Sequence, residues 1–327
     1  MEPETRNQKP ETILVLKPSS LGDIVHTLPA IVLIKQRWPQ AHLRWLVNPE
    51  WAPLLDGNPH VDEVVVFPRS QFRGPAGWAR IPAWAKKIAA RKADLVLDFQ
   101  GLLRSALIAR LCRAADGRIV GLSDAREGAR LFYDQVVDVS GKAHAVDRYL
   151  ALVAALGLNP APPLAWPLPL GSAPASFDAT APFILFHPCA RGAGKSLTAT
   201  EVAQFVRTLA PRRVVLVGRS AKPVAEAANL TNLLNRTTLP ELIWLLRRAA
   251  FTVSVDSGPM HIAAALSPRL LAIHTWSDPR VVGPYQPDAW VWKDRALCQM
   301  KDFANPSARQ PAADIASVAR FVAGQEK

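Results

Sequence analysis

The sequence predicts an α/β protein of two Rossmann-like domains facing across a cleft, divided as residues 1–165 and 166–327. Three observations predict it. Short apolar runs alternate with stretches of helical periodicity, the pattern of parallel strands joined by covering helices. A proline-rich, nearly uncharged stretch interrupts the chain near its middle, and proline favours extended connections. Beyond that stretch the order of strand, loop and helix starts again.

The first apolar run, Thr12 to Leu16, ends in the loop Lys17 to Asp23, and a helical pattern follows from Ile24 to Arg37. His42 to Val47 reads as a second strand. Leu95 to Leu97 leads into Asp98, Phe99, Gln100 and Gly101, with a helix through Cys112. Residues 159–181 hold Pro160, Pro162, Pro163, Pro167, Pro169 and Pro174, with Pro182 just beyond, and the interdomain linker is placed there. Phe183 to Phe186 then reads as a strand, followed by a loop to Lys195 and a helix from about Thr200 to Leu209. Arg213 to Val217 is a strand ending at Gly218. Phe251 to Val255 is a strand ending in Asp256, Ser257 and Gly258, with a helix from Met260. Each half therefore has a first strand with a polar loop and a late strand that runs into Asp, with Gly shortly after. Open α/β sheets bind ligands at the carboxyl ends of their strands, so function is expected in these loops.

Composition narrows the classes. Of 327 residues, 49% are hydrophobic and 20% charged, enough apolar material for a core and inconsistent with a disordered chain. No apolar run is long enough to read as a spanning helix. Residues 1–11 are polar and lack the apolar stretch of a secretion signal. Cys112, Cys189 and Cys298 have neither metal-ligand spacing nor the even number of a disulfide framework, as expected of a cytosolic protein. Lys and Arg number 39 against 27 Asp and Glu, a net charge of +12 that predicts an anionic partner: nucleic acid, a phosphorylated small molecule or a membrane surface. The charge is spread over both halves and no nucleic-acid module signature accompanies it, so no nucleic-acid partner is expected.

Four segments carry candidate chemistry. In Ser19 to His26, Gly22 permits an unusual backbone angle or the close approach of a ligand. Asp23 there is either a cap on the following helix or a general base within reach of a hydroxyl. His187 to Ser196 looks at first like a phosphate-binding P-loop, but Cys189 stands where its first Gly is required. A weaker expectation survives, that Arg191 and Lys195 hold a diphosphate on flexible backbone; the alternative is a solvated basic loop. Asp256 to Ala265 is the most specific string. Gly258 and Pro259 precede a helix whose free N–H groups make an anion site, Ser257 adds a hydroxyl, and His261 is either a ligand or a core histidine. Asp256 itself repels phosphate, so its expected partners are a hydroxyl, a lysine or backbone donors. From Arg69 to Lys92 there are seven basic residues, no acidic one, and Phe72, Trp78 and Trp84 among them. That segment reads as a nucleic-acid groove, a membrane surface or a solvated helix face. No zinc, metal or Ser-His-Asp pattern emerges.

Together these residues resemble the bacterial lipopolysaccharide heptosyltransferases, glycosyltransferase family 9, over nearly the whole chain. The strings that carry the likeness are Lys17 to Ala30, Asp98 to Ala106, Ala125 to Glu127 with Leu131 to Tyr133, His144 to Arg148, and Asp256 to His261. Ser277 to Pro279 and Gly283 to Tyr285 look like the loop that follows in the family. The first half looks most like the heptosyltransferase I type, which adds the first heptose to the Kdo of the inner core.

The resemblance implies the GT-B architecture and inverting transfer from a nucleotide sugar, with no metal or cofactor required. It implies Asp23 as general base and Lys195 as the lysine stabilising the leaving diphosphate. Donor binding falls to Asp256, Ser257, Gly258, Met260, His261 and Arg191. Acceptor binding falls to Ser20, Gly22, His26, Arg73, Arg104, Arg126, His144 and Arg148, whose cations suit carboxylates and phosphates. The implied partners are ADP-heptose and an anionic, lipid-linked Kdo acceptor, with peripheral contact at the cytoplasmic face of the inner membrane. Ser196, Leu197 and Thr198 replace the family's usual Trp-Pro pair, and His274 to Asp278 replaces a Gly-Pro-Thr type of loop. These departures fall on the donor side, so another nucleotide sugar, another core acceptor or a non-catalytic nucleotide-sugar binder stand as alternatives.

Overall fold

The computed structural model describes residues 9–325, apart from 162, 176, 179, 193, 222, 223, 306–309, 312 and 313. The expectations for residues 1–8 and for Pro162 lie outside the described residues. The chain divides into two compact units, the first running to Pro169 and the second starting at Leu170.

The first unit contains β1 (Thr12–Leu16), α1 (Leu21–Arg37), β2 (His42–Val47), β3 (Glu63–Val66), α2 (Gly74–Trp78), α3 (Ile81–Ala89), β4 (Ala93–Asp98), α4 (Leu103–Cys112), β5 (Arg113–Leu122), β6 (Gln135–Val137) and α5 (Ala145–Ala155). Its strands are all parallel, in the order β3-β2-β1-β4-β5-β6. β1 is buried from Ile13 to Leu16, as a central parallel strand must be when both faces are covered. Leu14 and Leu16 share a core with Ile88 of α3 and Ile108 and Cys112 of α4, while α1 and α5 pack on each other. α1 starts at Leu21, earlier than its apolar periodicity suggested. Ser20 is the N-cap, and its N–H and hydroxyl both donate to the Asp23 carboxylate, at 3.0 and 2.7 Å, so the polar loop residues are drawn into the first turn.

The second unit contains β7 (Ile184–His187), α6 (Ala199–Leu209), β8 (Val214–Leu216), β9 (Leu230–Asn232), α7 (Leu239–Arg248), β10 (Phe251–Val255), α8 (Gly258–Leu266), β11 (Leu270–His274), α9 (Pro279–Val282), β12 (Trp290–Lys293), β13 (Ala296–Gln299), β14 (Gln310–Pro311) and α10 (Ile315–Gly324). The sheet order is β14-β13-β12-β11-β10-β7-β8-β9, with β13 and β14 added antiparallel at one edge. Phe205 of α6 stacks on Phe186 of β7 with centroids 4.2 Å apart, in a core shared with Val318 and Val322 of α10. Counted from the start of each unit, the parallel strands run third, second, first, fourth, fifth, sixth in both. That doubly wound order reverses beside the first strand, which opens a crevice at the carboxyl ends.

Among the described residues, 159–182 form neither helix nor strand, but they do not hang free. The Asn58 side chain donates to Pro167 O at 3.1 Å and Leu168 is buried, which fixes that part to the first unit. Ser172 N donates to Pro240 O at 3.2 Å, and Phe177 packs edge-on against Phe183 and Trp244 of the second unit. No described helix is long and apolar enough to cross a membrane.

Gly121 on β5 links the fold to the crevice. A Cβ there would lie 2.2 Å from the Tyr133 ring, whose hydroxyl donates to Asp98 at 2.8 Å. Gly121→Ala is expected to displace that ring and to lower stability by roughly 1–3 kcal/mol, read by chemical denaturation. A wild-type unfolding curve for this variant would contradict the packing described.

Candidate active site

In the first unit the strand order reverses between β1 and β4, and a cavity of about 330 Å³ opens at their carboxyl ends. Lys17 and Asp23 enter it from the β1 side, Asp98 from the end of β4, Arg126 from the segment after β5, and Arg148 and Tyr149 from α5. Asp23 divides its two oxygens between the helix start and the cavity. Oδ2 accepts from Ser20, closing the helix start, while Oδ1 accepts from the Tyr149 hydroxyl at 3.4 Å. Burial first, and then the Asp23 charge, hold the Tyr149 phenol well above its usual range, so it remains a donor.

Beneath Asp23 lie two groups whose roles sequence reasoning missed. Lys17 is 4% exposed, and its ammonium donates to Phe99 O at 2.9 Å and sits 5.1 Å from the Tyr149 ring centre. Burial lowers its pKa, against the opposing pull of Asp23, Asp98 and Asp124. Asp98 is fully buried. It accepts from the backbone of Gln100 and Gly101 and from the hydroxyls of Ser105 and Tyr133, at 2.8 to 3.0 Å. Burial raises its pKa, and those four donors act in the opposite direction. The signal for Asp98 was present, since it ends the same strand of its unit as Asp256 nearly does. Tyr133 stood in a string that carried the family likeness but was given no role, and nothing local marked Tyr149.

Of the acceptor candidates, Arg126 and Arg148 line the cavity with Asp23, and Ser20 bonds to it. The Arg148 guanidinium lies 3.3 Å from Asp124 and donates to Ala143 O at 3.1 Å. Gly22 is in the first turn of α1, where the backbone is helical, so the unusual angle expected there is not found. The left-handed backbone is instead at Gly101, with φ of 66°. His26 and His144 are both buried, with rings edge to face at 5.0 Å. His144 is the N-cap of α5, its Nδ1 accepting from Val146 N at 3.2 Å. Arg73 and Arg104 are exposed and do not line the cavity.

The matching crevice in the second unit, between β7 and β10, carries Lys195 and Asp256. The Lys195 ammonium donates to Asp256 Oδ2 at 3.0 Å, and the Ser277 hydroxyl donates to the same oxygen at 2.7 Å. A lysine and a hydroxyl were the partners expected of this carboxylate. Burial pushes the Asp256 carboxyl up, but the bonds from Ser277 and Lys195 outweigh it and hold the group below the usual range. His274, fully buried, lies with Nδ1 3.0 Å from Ser277 Oγ. The single Ser277 hydrogen goes to Asp256, so His274 Nδ1 is the donor in that contact. Ser257 precedes α8, but its hydroxyl turns to His187 Nδ1 at 3.2 Å and to Val255 O at 3.0 Å, which leaves the start of α8 at Gly258 without a side-chain cap. His261 is 9% exposed in the first turn of α8. Met260 is fully buried, so its side chain belongs to the core and offers no surface to a donor.

The loop after β7 is not a P-loop. Ser196 Oγ bonds back to both the N–H and the carbonyl of Ala190, and the helix begins only at Ala199. Thr198 and Glu201 form its capping box, which puts a carboxylate where a P-loop holds phosphate. Arg191 is exposed on this loop. In the basic segment, Phe72 and Trp84 pack on Phe67 and are not free to stack on bases. Only Trp78 of the three aromatics is exposed, at 63%.

Two doubly wound units, each with polar groups gathered at its own strand reversal, are the architecture that the chain shares with GT-B heptosyltransferases of known structure. Residues 81–313 match the family model described as Glycosyltransferase family 9 (heptosyltransferase), and the chain belongs to that family. Lipopolysaccharide heptosyltransferase 1 of Salmonella typhimurium is 30% identical over 292 residues, 84% of this chain and 91% of the relative. The lipopolysaccharide core heptosyltransferase OpsX of Haemophilus influenzae is 23% identical over 324 residues, 93% and 90% of the two chains. The solved structure of E. coli heptosyltransferase WaaC with ADP superposes with a TM-score of 0.75 at 25% identity, covering 95% of this chain and 98% of that one. WaaC has also been solved with ADP-2-deoxy-2-fluoro heptose, at a TM-score of 0.73. The chain is a glycosyltransferase of the heptosyltransferase family.

The His274–Ser277–Asp256 chain makes the second unit sensitive to acid. Burial holds His274 at about 4, below its ordinary 6.5. The unfolded chain takes up this proton below its ordinary pKa and the folded chain only at the lower value. The stability is therefore complete above 6.5 and is lost as pH falls toward 4. His274→Asn should remove a share of that loss on the order of 3 kcal/mol, seen as a shallower fall of melting temperature with acid. An unchanged slope would show that His274 is not buried as a neutral ring.

Proposed function

We propose that this chain moves heptose from ADP-heptose to the Kdo region of the lipopolysaccharide inner core, with inversion at the anomeric carbon. The observation that carries the reading is the Asp23 carboxylate on the cavity of the first unit, flanked there by Arg126 and Arg148. Asp23 takes the proton of an acceptor hydroxyl as that oxygen bonds to the anomeric carbon. The bond from that carbon to the diphosphate oxygen breaks, and ADP departs with the electron pair. Lys195 and the uncapped start of α8 face the growing negative charge. Arg126 and Arg148 hold carboxylates of the acceptor, a task that suits guanidinium forks. In this reading the first unit binds acceptor and the second binds donor. Its support is the placement of these groups together with the ligands of the solved WaaC structures.

The test is ADP release from ADP-heptose in the presence of Kdo2-lipid A, with product mass measured in parallel. One heptose added is the expected result. Asp23→Asn keeps an acceptor for Ser20 and removes the base, so turnover should fall by roughly 10²- to 10⁴-fold with ADP affinity unchanged. Loss of ADP affinity in that variant would place Asp23 outside the catalytic role.

The same reading places the enzyme at the cytoplasmic face of the inner membrane, where a lipid-linked acceptor resides. The supporting surface is α2 and α3, where Trp78 is 63% and Ile81 39% exposed among exposed Arg73, Arg80, Lys86 and Lys87. An interfacial indole beside cations suits an anionic bilayer. Co-sedimentation with phosphatidylglycerol vesicles should weaken with salt and fall in Trp78→Ala, with little binding to phosphatidylcholine. Equal binding to both lipids would count against this surface.

A further inference from the structure

Trp276 departs from the economy of the rest of the second unit. Its neighbours in the loop after β11 are spoken for: His274 is fully buried and Ser277 holds Asp256. The Trp276 indole is 63% exposed, although a ring of that size gains most from burial. One neighbour it does have is Lys195, whose ammonium is 4.5 Å from the ring centroid while remaining 3.0 Å from Asp256. A cavity of about 270 Å³ opens beside the ring, with Asp278, Arg280, Lys293, Asp294 and Phe303 on its other walls.

An apolar platform walled by carboxylates and cations suits one class of ligand in particular. A sugar ring presents a C–H face that packs on an aromatic ring and a rim of hydroxyls that donate to carboxylates and accept from Lys and Arg. The position of Lys195 narrows the choice further. A phosphate held on that ammonium lies within one residue's width of the indole, so the group against the indole is one bonded directly to the phosphate. A nucleobase is set back from its diphosphate by a ribose; of the two sugars bonded to the diphosphate, the ribose is shared with ADP, so a comparison with ADP separates it from the transferred sugar.

We propose that Trp276 and the adjoining cavity bind the transferable sugar of the donor, making the indole a specificity-determining contact of this enzyme. This rests on the reading of the second unit as the donor-binding one. The loop from His274 to Asp278 is also where the sequence reads differently from the Gly-Pro-Thr type of loop that the family resemblance implies.

The test compares two ligands on the intact enzyme by calorimetry: ADP, and the non-transferable ADP-2-deoxy-2-fluoro heptose. Trp276→Ala should weaken the fluorinated sugar nucleotide by about tenfold and leave ADP affinity unchanged. Trp276→Phe, which keeps an aromatic face, should recover most of the loss. Equal weakening of both ligands would mean that Trp276 holds the nucleotide, and no weakening of either would place the ring outside the site; each result overturns the proposal. A variant that has failed to fold is recognised by its altered melting curve together with lost ADP binding, and Trp276→Leu, which keeps an apolar side chain without an aromatic face, then takes its place with the same expected loss. Failure of the wild-type protein to bind either ligand would instead overturn the donor reading itself.

Discussion

Parallel strands that wind outward in both directions from a first strand must leave a gap where the direction reverses. Both units are organised by that gap. The chain leaving the first strand turns away on one side, and the chain leaving the fourth turns away on the other. The backbone groups at those strand ends have no covering helix above them. Polar side chains collect there because they can be buried partly without losing every contact with water. Lys17, Asp23 and Asp98 collect in the first unit, and Lys195 and Asp256 in the second.

The two fourth-strand aspartates show how one position can be put to two uses. Asp98 is surrounded by neutral donors and buried completely, so its role is to tie the loop 100–101, α4 and Tyr133 to the end of β4. Asp256 is one residue beyond its strand, keeps some exposure, and takes a charged partner in Lys195. A buried carboxylate with several hydrogen-bond donors rigidifies its surroundings, whereas one paired to a flexible lysine can exchange partners. The first is scaffold, and the second suits the donor-binding role proposed for it.

Much of this was legible before the structure, for identifiable reasons. Central strands such as β1 and β7 are nearly continuous apolar runs, β10 interposes only Thr252 and Ser254, and the second unit announces itself because the same order resumes after the proline-rich stretch. Asp23 and Asp256 stood out because each lies where a strand gives way to a helix, Asp23 in the first turn of α1 and Asp256 just before α8, so local sequence and site coincide. The boundary of α1 was misplaced because its first turn is built from Leu21, Gly22 and Asp23, and only the reciprocal bonding of Ser20 and Asp23 reveals it as helix. Tyr149, Tyr133, Ser277 and His274 were beyond reach for another reason. Tyr149, Tyr133 and Ser277 meet Asp23, Asp98 and Asp256 across gaps in sequence that only strand order closes, and His274 joins the last pair through Ser277, three residues on. The basic segment misled in a third way: Phe72 and Trp84 look like stacking residues in sequence, yet they fill a small apolar core with Phe67.

The pairing of Lys195 with Asp256 has a consequence for discrimination among anions. An ammonium already satisfied 3.0 Å away is a poor trap for a lone phosphate or chloride, because any newcomer must compete with a resident carboxylate held in place by Ser277. A ligand that brings several charges and further contacts of its own can win that competition; a single small ion cannot. In the donor-binding role proposed for the second unit, the resident carboxylate sets a threshold that a lone simple anion does not pass and a polyanion does.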